Sequence, residues 1–338
     1  MENICIKEMD EIKHVTKSIL ITGAAGFIGS NLCEYFLEKG YKITGLDNLS
    51  TGFKYNLETF TDHPNFHFIE GDICSKNTLL KATKGIDYVL HQAALGSVPR
   101  SLKNPIKTNE VNISGFLNIL EASKTNKVKR IVYAASSSTY GDSKVLPKKE
   151  EIIGKPLSPY AVTKYVNELY AEIYAKCYKM ELIGLRYFNV FGRRQSPHGE
   201  YAAVIPKFIS KYIKGERPLI NGDGKYSRDF TYIDNVIQMN DLAMTTQNPL
   251  ALNQVYNTAV GDRVTINEMD ESIRLGLSIF KKEILNINPI FGPVREGDIP
   301  HSQASIVKAK SLLNYEPSHN FKEGIEASIE WYFNNLKV

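Results

Sequence analysis

The sequence predicts a doubly wound α/β fold: a parallel sheet with helices on both faces, joined to a smaller second lobe. Three observations carry this expectation. Short apolar runs alternate with helical stretches through roughly the first half of the chain. A glycine-rich turn separates the first apolar run from its helix, and after Asn189 the alternation loosens into proline and glycine punctuation.

The elements follow in order. Ser18-Ile19-Leu20-Ile21-Thr22 is a short buried strand, followed at once by Gly23-Ala24-Ala25-Gly26-Phe27-Ile28-Gly29. The next helix carries Leu32, Phe36 and Leu37 on one side and stops at Gly40. Lys42 to Leu46 is a second strand, ending at Asp47. Phe66 to Glu70, Tyr88 to Gln92, Arg130 to Ala135 and Glu181 to Arg186 supply four more, with helical stretches between them. Strands separated by helices run parallel through right-handed crossovers. Pro206, Gly215, Pro218, Gly222, Gly224, Pro289, Gly292, Pro293 and Gly297 then break the pattern, which reads as the second lobe. No internal repeat or low-complexity tract occurs.

The glycine turn is chemically specific. Its glycines let the backbone turn tightly, approach a pyrophosphate and pack the helix on the strand, while the helix N-terminus offers free N–H groups to an anion. The spacing is Gly-x-x-Gly-x-x-Gly rather than the common Gly-x-Gly-x-x-Gly of dehydrogenases. At the end of the next strand, Asp47 is placed to bond adenosine ribose hydroxyls and to repel a 2′-phosphate, so the expected cofactor is NAD rather than NADP.

A second constellation lies in Ser158-Pro159-Tyr160-Ala161-Val162-Thr163-Lys164. Ser158 suits the N-cap and Pro159 the first helical position, which puts Tyr160 and Lys164 one turn apart on one face. A free Tyr titrates near 10, so a phenolate at neutral pH needs a shift of about 3 units, or about 4 kcal/mol. A nearby ammonium supplies part of that. The same pattern also fits an amphipathic helix with an exposed lysine; the glycine turn upstream and the Ser136-Ser137-Ser138 run between them favour a site.

Composition narrows the class. With 338 residues, 43% hydrophobic and 23% charged, the chain can bury a large core. Cys5, Cys33, Cys74 and Cys177 show no metal or redox spacing, which fits a reduced cytoplasm. No apolar run reaches transmembrane length, and Met1 to Lys17 has no apolar core, so neither a signal nor a membrane anchor is expected. The net charge of +4 is spread along the chain, and Lys127-Val128-Lys129-Arg130 reads as a solvated helix end rather than a nucleic-acid patch. No metal is expected: Pro64 and the strand-like Phe66-His67-Phe68 deny His63 and His67 a shared helix face. No Gly-x-Ser-x-Gly elbow of a serine hydrolase occurs either.

Gly23/Gly26/Gly29, Asp47, Ser136-Ser137-Ser138-Thr139-Tyr140-Gly141, Tyr160/Lys164 and Arg186-Tyr187-Phe188-Asn189 together resemble the extended short-chain dehydrogenase/reductase superfamily. The likeness runs over nearly all of the chain after about residue 17 and is closer to the nucleotide-sugar 4-epimerases. Through His91-Gln92-Ala93-Ala94-Leu95-Gly96-Ser97-Val98-Pro99-Arg100, Tyr201-Ala202-Ala203-Val204-Ile205-Pro206 and His301-Ser302 the chain resembles bacterial UDP-N-acetylhexosamine 4-epimerases of polysaccharide biosynthesis.

That resemblance implies a Rossmann-type NAD-binding domain over 18–190, to which 234–260 returns, and a discontinuous α/β substrate lobe of 191–233 and 261–338, behind an N-terminal extension of 1–17. It implies Tyr160 as base, Lys164 as its tuner and holder of the nicotinamide ribose, and Ser136 as the hydroxyl that meets sugar O4. On the cofactor side it implies Gly23, Gly26, Phe27, Ile28, Gly29, Asp47, Asn48, Asp72, Ile73, Gln92, Ala93, Ala94, Asn112 and Tyr187. On the substrate side it implies Gly96, Ser97, Ser137, Ser138, Asn189, Ala203, the diphosphate-binding Arg228 and Arg295, the ribose-binding Asp298, and Ser302. Taken alone, these residues have ordinary readings as well: the serines as turn caps, the arginines as surface partners of Asp229 and Glu296, and Ser302 as the loop or N-cap serine of a helix over Gln303 to Leu313.

The 4,6-dehydratases of the superfamily carry an Asp-Glu pair where this chain has Ser137 and Ser138, so the expected reaction is 4-epimerisation through a transient 4-ketosugar. The small Ser302, with Gly96 and Ala203, implies a pocket that admits an N-acetyl group and hence UDP-GlcNAc and UDP-GalNAc as substrates. The alternatives are the C6-oxidised UDP-hexosaminuronic acids, the plain UDP-Glc/UDP-Gal pair and, remotely, a noncatalytic NAD-binding scaffold. The helices near Asn112 to Thr125 and Pro159 to Tyr178 carry wide apolar stripes, and in this superfamily such a pair forms a homodimer's four-helix bundle.

Overall fold

The structure is a computed structural model that describes residues 16–197, 203–294 and 299–336. Strands β1 (Ser18–Thr22), β2 (Lys42–Asp47), β3 (Phe66–Glu70), β4 (Tyr88–His91), β5 (Arg130–Ser136) and β6 (Glu181–Tyr187) come first. Then follow β7 (Val190–Phe191), β8 (Leu219–Asn221), β9 (Ser227–Arg228), β10 (Thr231–Tyr232), β11 (Val255–Thr258), β12 (Val264–Thr265) and β13 (Ile290–Gly292). The helices are α1 (Phe27–Glu38), α2 (Lys76–Ala82), α3 (Val98–Lys103), α4 (Pro105–Asn109), α5 (Gly115–Thr125), α6 (Pro159–Tyr178), α7 (Val204–Ile213), α8 (Ile233–Thr245), α9 (Ile266–Ser278), α10 (Val307–Leu313) and α11 (Phe321–Asn335).

Seven strands form one parallel sheet in the spatial order β3-β2-β1-β4-β5-β6-β11. The direction of winding reverses between β1 and β4, and ligands of such sheets bind outside the strand ends at that point. Ile19, Leu20 and Ile21 of β1 are fully buried and all of β5 is buried, as strands covered on both faces must be. The shorter strands pair as β7 with β10, β9 with β12 and β8 with β13. Residues of β1 and α1 share one continuous apolar core with α7, α9 and α11. No helix among the described residues is long and apolar enough to cross a membrane.

Three local features depart from the sequence expectations. Arg130 opens the expected strand but is not part of a solvated basic cluster: it is buried at the start of β5, where it pairs with Glu181 at 2.7 Å and its Nη1 donates to the carbonyls of Ala243, Met244 and Thr246. A cation there satisfies the C-terminal carbonyls of α8. The expected helix over Gln303 to Leu313 begins only at Val307, and the Ser302 amide donates to Ser227 O at 3.0 Å, so Ser302 is no N-cap. The helix around Asn112 contains a π turn, Glu110–Ser114, between α4 and α5. Such turns are frequent at functional sites.

Candidate active site

The glycine turn builds one end of the site. Gly23 has φ +71 and a Cβ there would meet Ala93 N at 2.8 Å, beyond the end of β4, while a Cβ on Gly29 would lie 2.0 Å from Gly23 O and oppose the close passage of α1 over β1. Gly26 caps α1 without a side chain, and no acidic residue stands in the first turn, which leaves the positive helix end open to an anion. Asp47, at the end of β2, accepts from Ala25 N at 3.0 Å and Leu49 N at 2.8 Å. Burial nevertheless pushes its carboxyl above the ordinary value, against those two bonds.

A groove of about 790 Å³ runs over these strand ends. Gly23, Gly26, Phe27, Ile28, Gly29, Asp47, Asn48, Ile73, Gln92, Ala93, Ala94, Gly96 and Ala203 all line it. Its β4 wall is held firmly: Thr22 Oγ1 meets His91 Nδ1 at 2.8 Å and accepts from Ala93 N at 3.2 Å. Burial, with the Lys164 charge behind it, holds the His91 imidazole down at about 3, hence neutral. The Gln92, Tyr187 and Asn240 side chains form a closed triangle of hydrogen bonds at 2.9 to 3.2 Å that joins the ends of β4 and β6 to α8.

A chamber of about 260 Å³ adjoins the groove and shares Ile28, Gln92, Ala94 and Gly96 with it. Ser136, Tyr160, Lys164, Tyr187 and Asn189 line this chamber, so the proposed base, its lysine and the first serine meet in one place. The Ser158 side chain accepts from Ala161 N at 3.1 Å and Pro159 opens α6, which sets the turn that carries Tyr160 and Lys164. Asn189 sits at φ +33, with its Nδ2 donating to Asp229 O at 3.0 Å.

The electrostatics differ from the expectation. Burial raises the Tyr160 phenol above 10, and only the Ser136 hydroxyl opposes it. The Lys164 Nζ donates to Ala134 O at 2.7 Å, and burial pushes its ammonium down to about 8. In the protein by itself, then, the lysine does not bring the phenol down; it is itself brought toward neutrality.

Other expected residues are placed differently. Asn112 is buried and its amide is spent on the Leu95 backbone and on Thr163 Oγ1 at 3.1 Å, so it anchors the π turn to α6 instead of lining the groove. Asp72 accepts from Asn48 Nδ2 at 2.9 Å and Cys74 N at 2.7 Å, behind the lining residue Asn48. Ser97, at φ +143, caps α3 by accepting from Arg100 N. Ser138 donates to Ser136 Oγ at 2.9 Å, and neither it nor Ser137 is among the chamber's lining residues. Arg228 Nη1 donates to the carbonyls of Ser227 and Pro300, and Arg228 is not among the lining residues of either cavity. Arg295 and Asp298 lie outside the described residues, as do Tyr201, Ala202 and the residues before position 16.

Arg228 and Ser302 nonetheless share a partner, since Ser227 O accepts from both the Arg228 side chain and the Ser302 amide. Beside Arg228, the fully buried Asp229 side chain accepts from Val260, Gly261 and Ala304 amides at 3.0 to 3.1 Å. Arg100, from the His91–Arg100 run, also lines the groove, together with Lys107, Gln195 and Ser196, which nothing in the motif spacing singles out. They come from α3, α4 and the segment after β7, and only the fold brings them together.

A family model for the NAD dependent epimerase/dehydratase family matches residues 19–259. The chain belongs to that family. Among similar epimerase relatives, a putative UDP-glucose 4-epimerase of Methanocaldococcus jannaschii is 37% identical over 95% of this chain and 100% of its own length. The solved UDP-N-acetylglucosamine 4-epimerase of Methanobrevibacter ruminantium, in complex with UDP-N-acetylmuramic acid, is 37% identical with a TM-score of 0.88, covering 94% of this chain and 99% of that one. A UDP-glucuronic acid 4-epimerase of Bacillus cereus, in complex with UDP-glucuronic acid and NAD, is 29% identical with a TM-score of 0.84 over 94% and 99%. The family's NAD fits the groove here: the Gly23/Gly29 crossing leaves no room for side chains under a pyrophosphate, and an acceptor-only carboxylate stands at the end of β2. Among the described residues no cluster of His, Cys, Asp and Glu could hold a metal ion.

Proposed function

We propose that this protein is an NAD-dependent UDP-sugar 4-epimerase that interconverts UDP-GlcNAc and UDP-GalNAc, serving surface polysaccharide synthesis in the cytoplasm. The observation that carries the reading is the chamber itself: Tyr160, Ser136 and Lys164 face one space that opens directly into the glycine-lined groove. NAD, held by the glycine turn and Asp47, would supply the acceptor and later the donor of the hydride. Tyr160 takes the O4 proton as hydride leaves C4, and Ser136 holds O4 and passes that proton. Lys164 keeps the site positive and holds the nicotinamide ribose. The 4-ketosugar then rotates, and hydride and proton return on its other face. No carboxylate lines the chamber among the described residues, which favours epimerisation over dehydration, since elimination needs an acid and base at C5 and C6.

In this reading residues 18–190 and 234–260 form the cofactor domain, and 191–233 with 261–338 the substrate lobe. Arg228 and Arg295 grip the diphosphate, Asp298 the uridine ribose, and Asn189 with Ser97 the substrate. Gly96 and Ala203 are small lining residues, and Ser302 is the gate beside the sugar's C2 substituent. A second reading, a sugar with a C6 carboxylate, draws on Arg100, a cation lining the same groove as Gly96.

Incubation with a panel of UDP-sugars, with the epimers resolved, tests these readings. UDP-GlcNAc and UDP-GalNAc should turn over fastest, with no accumulating absorbance of reduced nicotinamide. Ser302→Tyr should remove activity on the N-acetylated pair selectively, because a bulky ring takes the acetyl group's place. A wild-type preference for UDP-Gal, or equal loss on both pairs, overturns the gate assignment.

The enzyme acts as a homodimer in this reading, through α6 and the helix around Asn112. Val162, Leu169 and Ile173 stand 46%, 44% and 51% exposed along one face of α6, where an apolar stripe in water calls for a partner. Light scattering at micromolar concentration should give twice the chain mass; a monomer refutes the assembly.

A further inference from the structure

Between β9 and β10 stands Asp229, fully sealed from water and lining neither cavity. Its Oδ1 accepts from Val260 N at 3.0 Å, and its Oδ2 accepts from Gly261 N and Ala304 N, each at 3.1 Å. The three donors lie in the segment after β11 and the segment before α10, outside the helices and strands. The carboxyl therefore takes the place of a strand ladder for two loops that are more than forty residues apart in sequence.

Three residues read as substrate ligands converge on this junction. Arg228 immediately precedes Asp229. Asn189, which lines the chamber, donates from Nδ2 to Asp229 O at 3.0 Å. Ser302 lies two residues before Ala304, and its amide donates to Ser227 O at 3.0 Å. Gln303 Nε2 adds a bond to Gly261 O at 3.0 Å. Ala304 packs with Tyr140, Phe188 and Ala259, which seats the 302–304 segment against the neighbour of Asn189.

The chemistry of the donors calls for an acid at this position. All three are backbone N–H groups, so the side chain must be acceptor-only: an asparagine would turn its own NH₂ toward one of them, and an apolar side chain would leave all three unmade. We propose that Asp229 is a positioning residue for the substrate. By gathering these amides it sets Arg228, Asn189 and the 302–304 segment in register, and so governs affinity for the nucleoside diphosphate part of the substrate while leaving NAD retention alone. The inference rests on the reading of Arg228, Asn189 and Ser302 as substrate ligands. The cofactor side is braced separately, through Leu46 O on Gly23 N and through Phe53 N and Asn56 Nδ2 on Ala25 O.

The test is Asp229→Asn in the full chain. Burial pushes this carboxyl up to about 7 against its three amides, so measurements at pH 8 read the ionised form. Affinity for UDP by calorimetry should fall about tenfold, the scale of a bond lost from a buried donor. Turnover at saturating UDP-sugar should stay within about twofold of wild type, so that the loss appears in KM. NAD released per denatured chain should be unchanged. Hydrogen exchange read by mass spectrometry should quicken over 259–262 and 302–305 and stay as it is over the glycine turn. If Asp229→Asn does not fold, Gln303→Leu removes only the bond to Gly261 O between the same two loops and carries the same comparison, with a smaller loss of UDP affinity. Unchanged UDP affinity in the folded variant overturns the proposal, and so does a loss of NAD in step with UDP, which a general loosening of the fold would give. Arg228→Leu separates the proposal from the reading beneath it. Unchanged UDP affinity in Arg228→Leu refutes the substrate reading, whereas a loss there without one in Asp229→Asn refutes only the role given to Asp229.

Discussion

Tyr160→Phe should lower turnover by about 10² to 10⁴, the usual cost of losing a general base, while UDP-sugar affinity measured by calorimetry stays within a few-fold. The ring is partly buried, so phenylalanine keeps its packing and only the hydroxyl facing Ser136 is lost. Burial holds this phenol protonated in the protein by itself, which predicts that wild-type turnover rises with pH as the phenol gives up its proton. Lys164, lowered to about 8, loses its charge before the phenol ionises, so only a small fraction of the protein holds phenolate and ammonium together, and turnover is greatest between the two titrations and falls on the alkaline side of the phenol's. Removal of the hydroxyl should abolish the rising limb. Retention of near-wild-type activity in Tyr160→Phe would transfer the base to Ser136 or to a water.

Gly29→Ala should abolish NAD retention. A Cβ there would stand 2.0 Å from Gly23 O and 2.7 Å from Gly23 C, both backbone atoms that no rotamer change can move aside. The turn must open, and the overpacking costs about 1 to 3 kcal/mol. Denaturing the purified wild type should release NAD; the variant should release none and melt lower. Gly96→Ala is the control, because a Cβ there meets nothing within 4 Å. Stoichiometric NAD in Gly29→Ala would show that the α1–β1 crossing is not what cradles the cofactor.

Much of the fold was legible because its signals are local. A parallel strand buried on both faces is a continuous apolar run, as in Ile19-Leu20-Ile21, and a helix start has its own chemistry, as in Ser158-Pro159. The features that escaped depend on distant partners. Arg130 reads as part of a basic cluster until α8, more than a hundred residues later, presents its carbonyls. The π turn at Glu110–Ser114 has no periodicity of its own and is anchored through Asn112 to Leu95 and Thr163. Ser302 resembles an N-cap in sequence, but its amide pairs with Ser227 across the lobe, which delays α10 to Val307. Candidate site residues followed the same rule. Those on the glycine turn and α6 line the cavities, whereas Ser138 and Asn112 are spent on neighbours that spacing does not reveal. The sign of the Tyr160 shift was missed because an i, i+4 pattern reports proximity along a helix and says nothing of burial.

The unbroken apolar core that runs from β1 and α1 to α7, α9 and α11 has a thermodynamic corollary. Because one apolar cluster spans the sheet and the outer helices, melting of these elements as one cooperative unit is the expected result, and ligation anywhere on the folded form is then linked to the order of all of it. A cofactor held at one hundred times its dissociation constant adds about 2.7 kcal/mol to that single transition. The α9 and α11 helices, which touch no part of the glycine turn, therefore gain protection against hydrogen exchange through global opening whenever that turn is occupied.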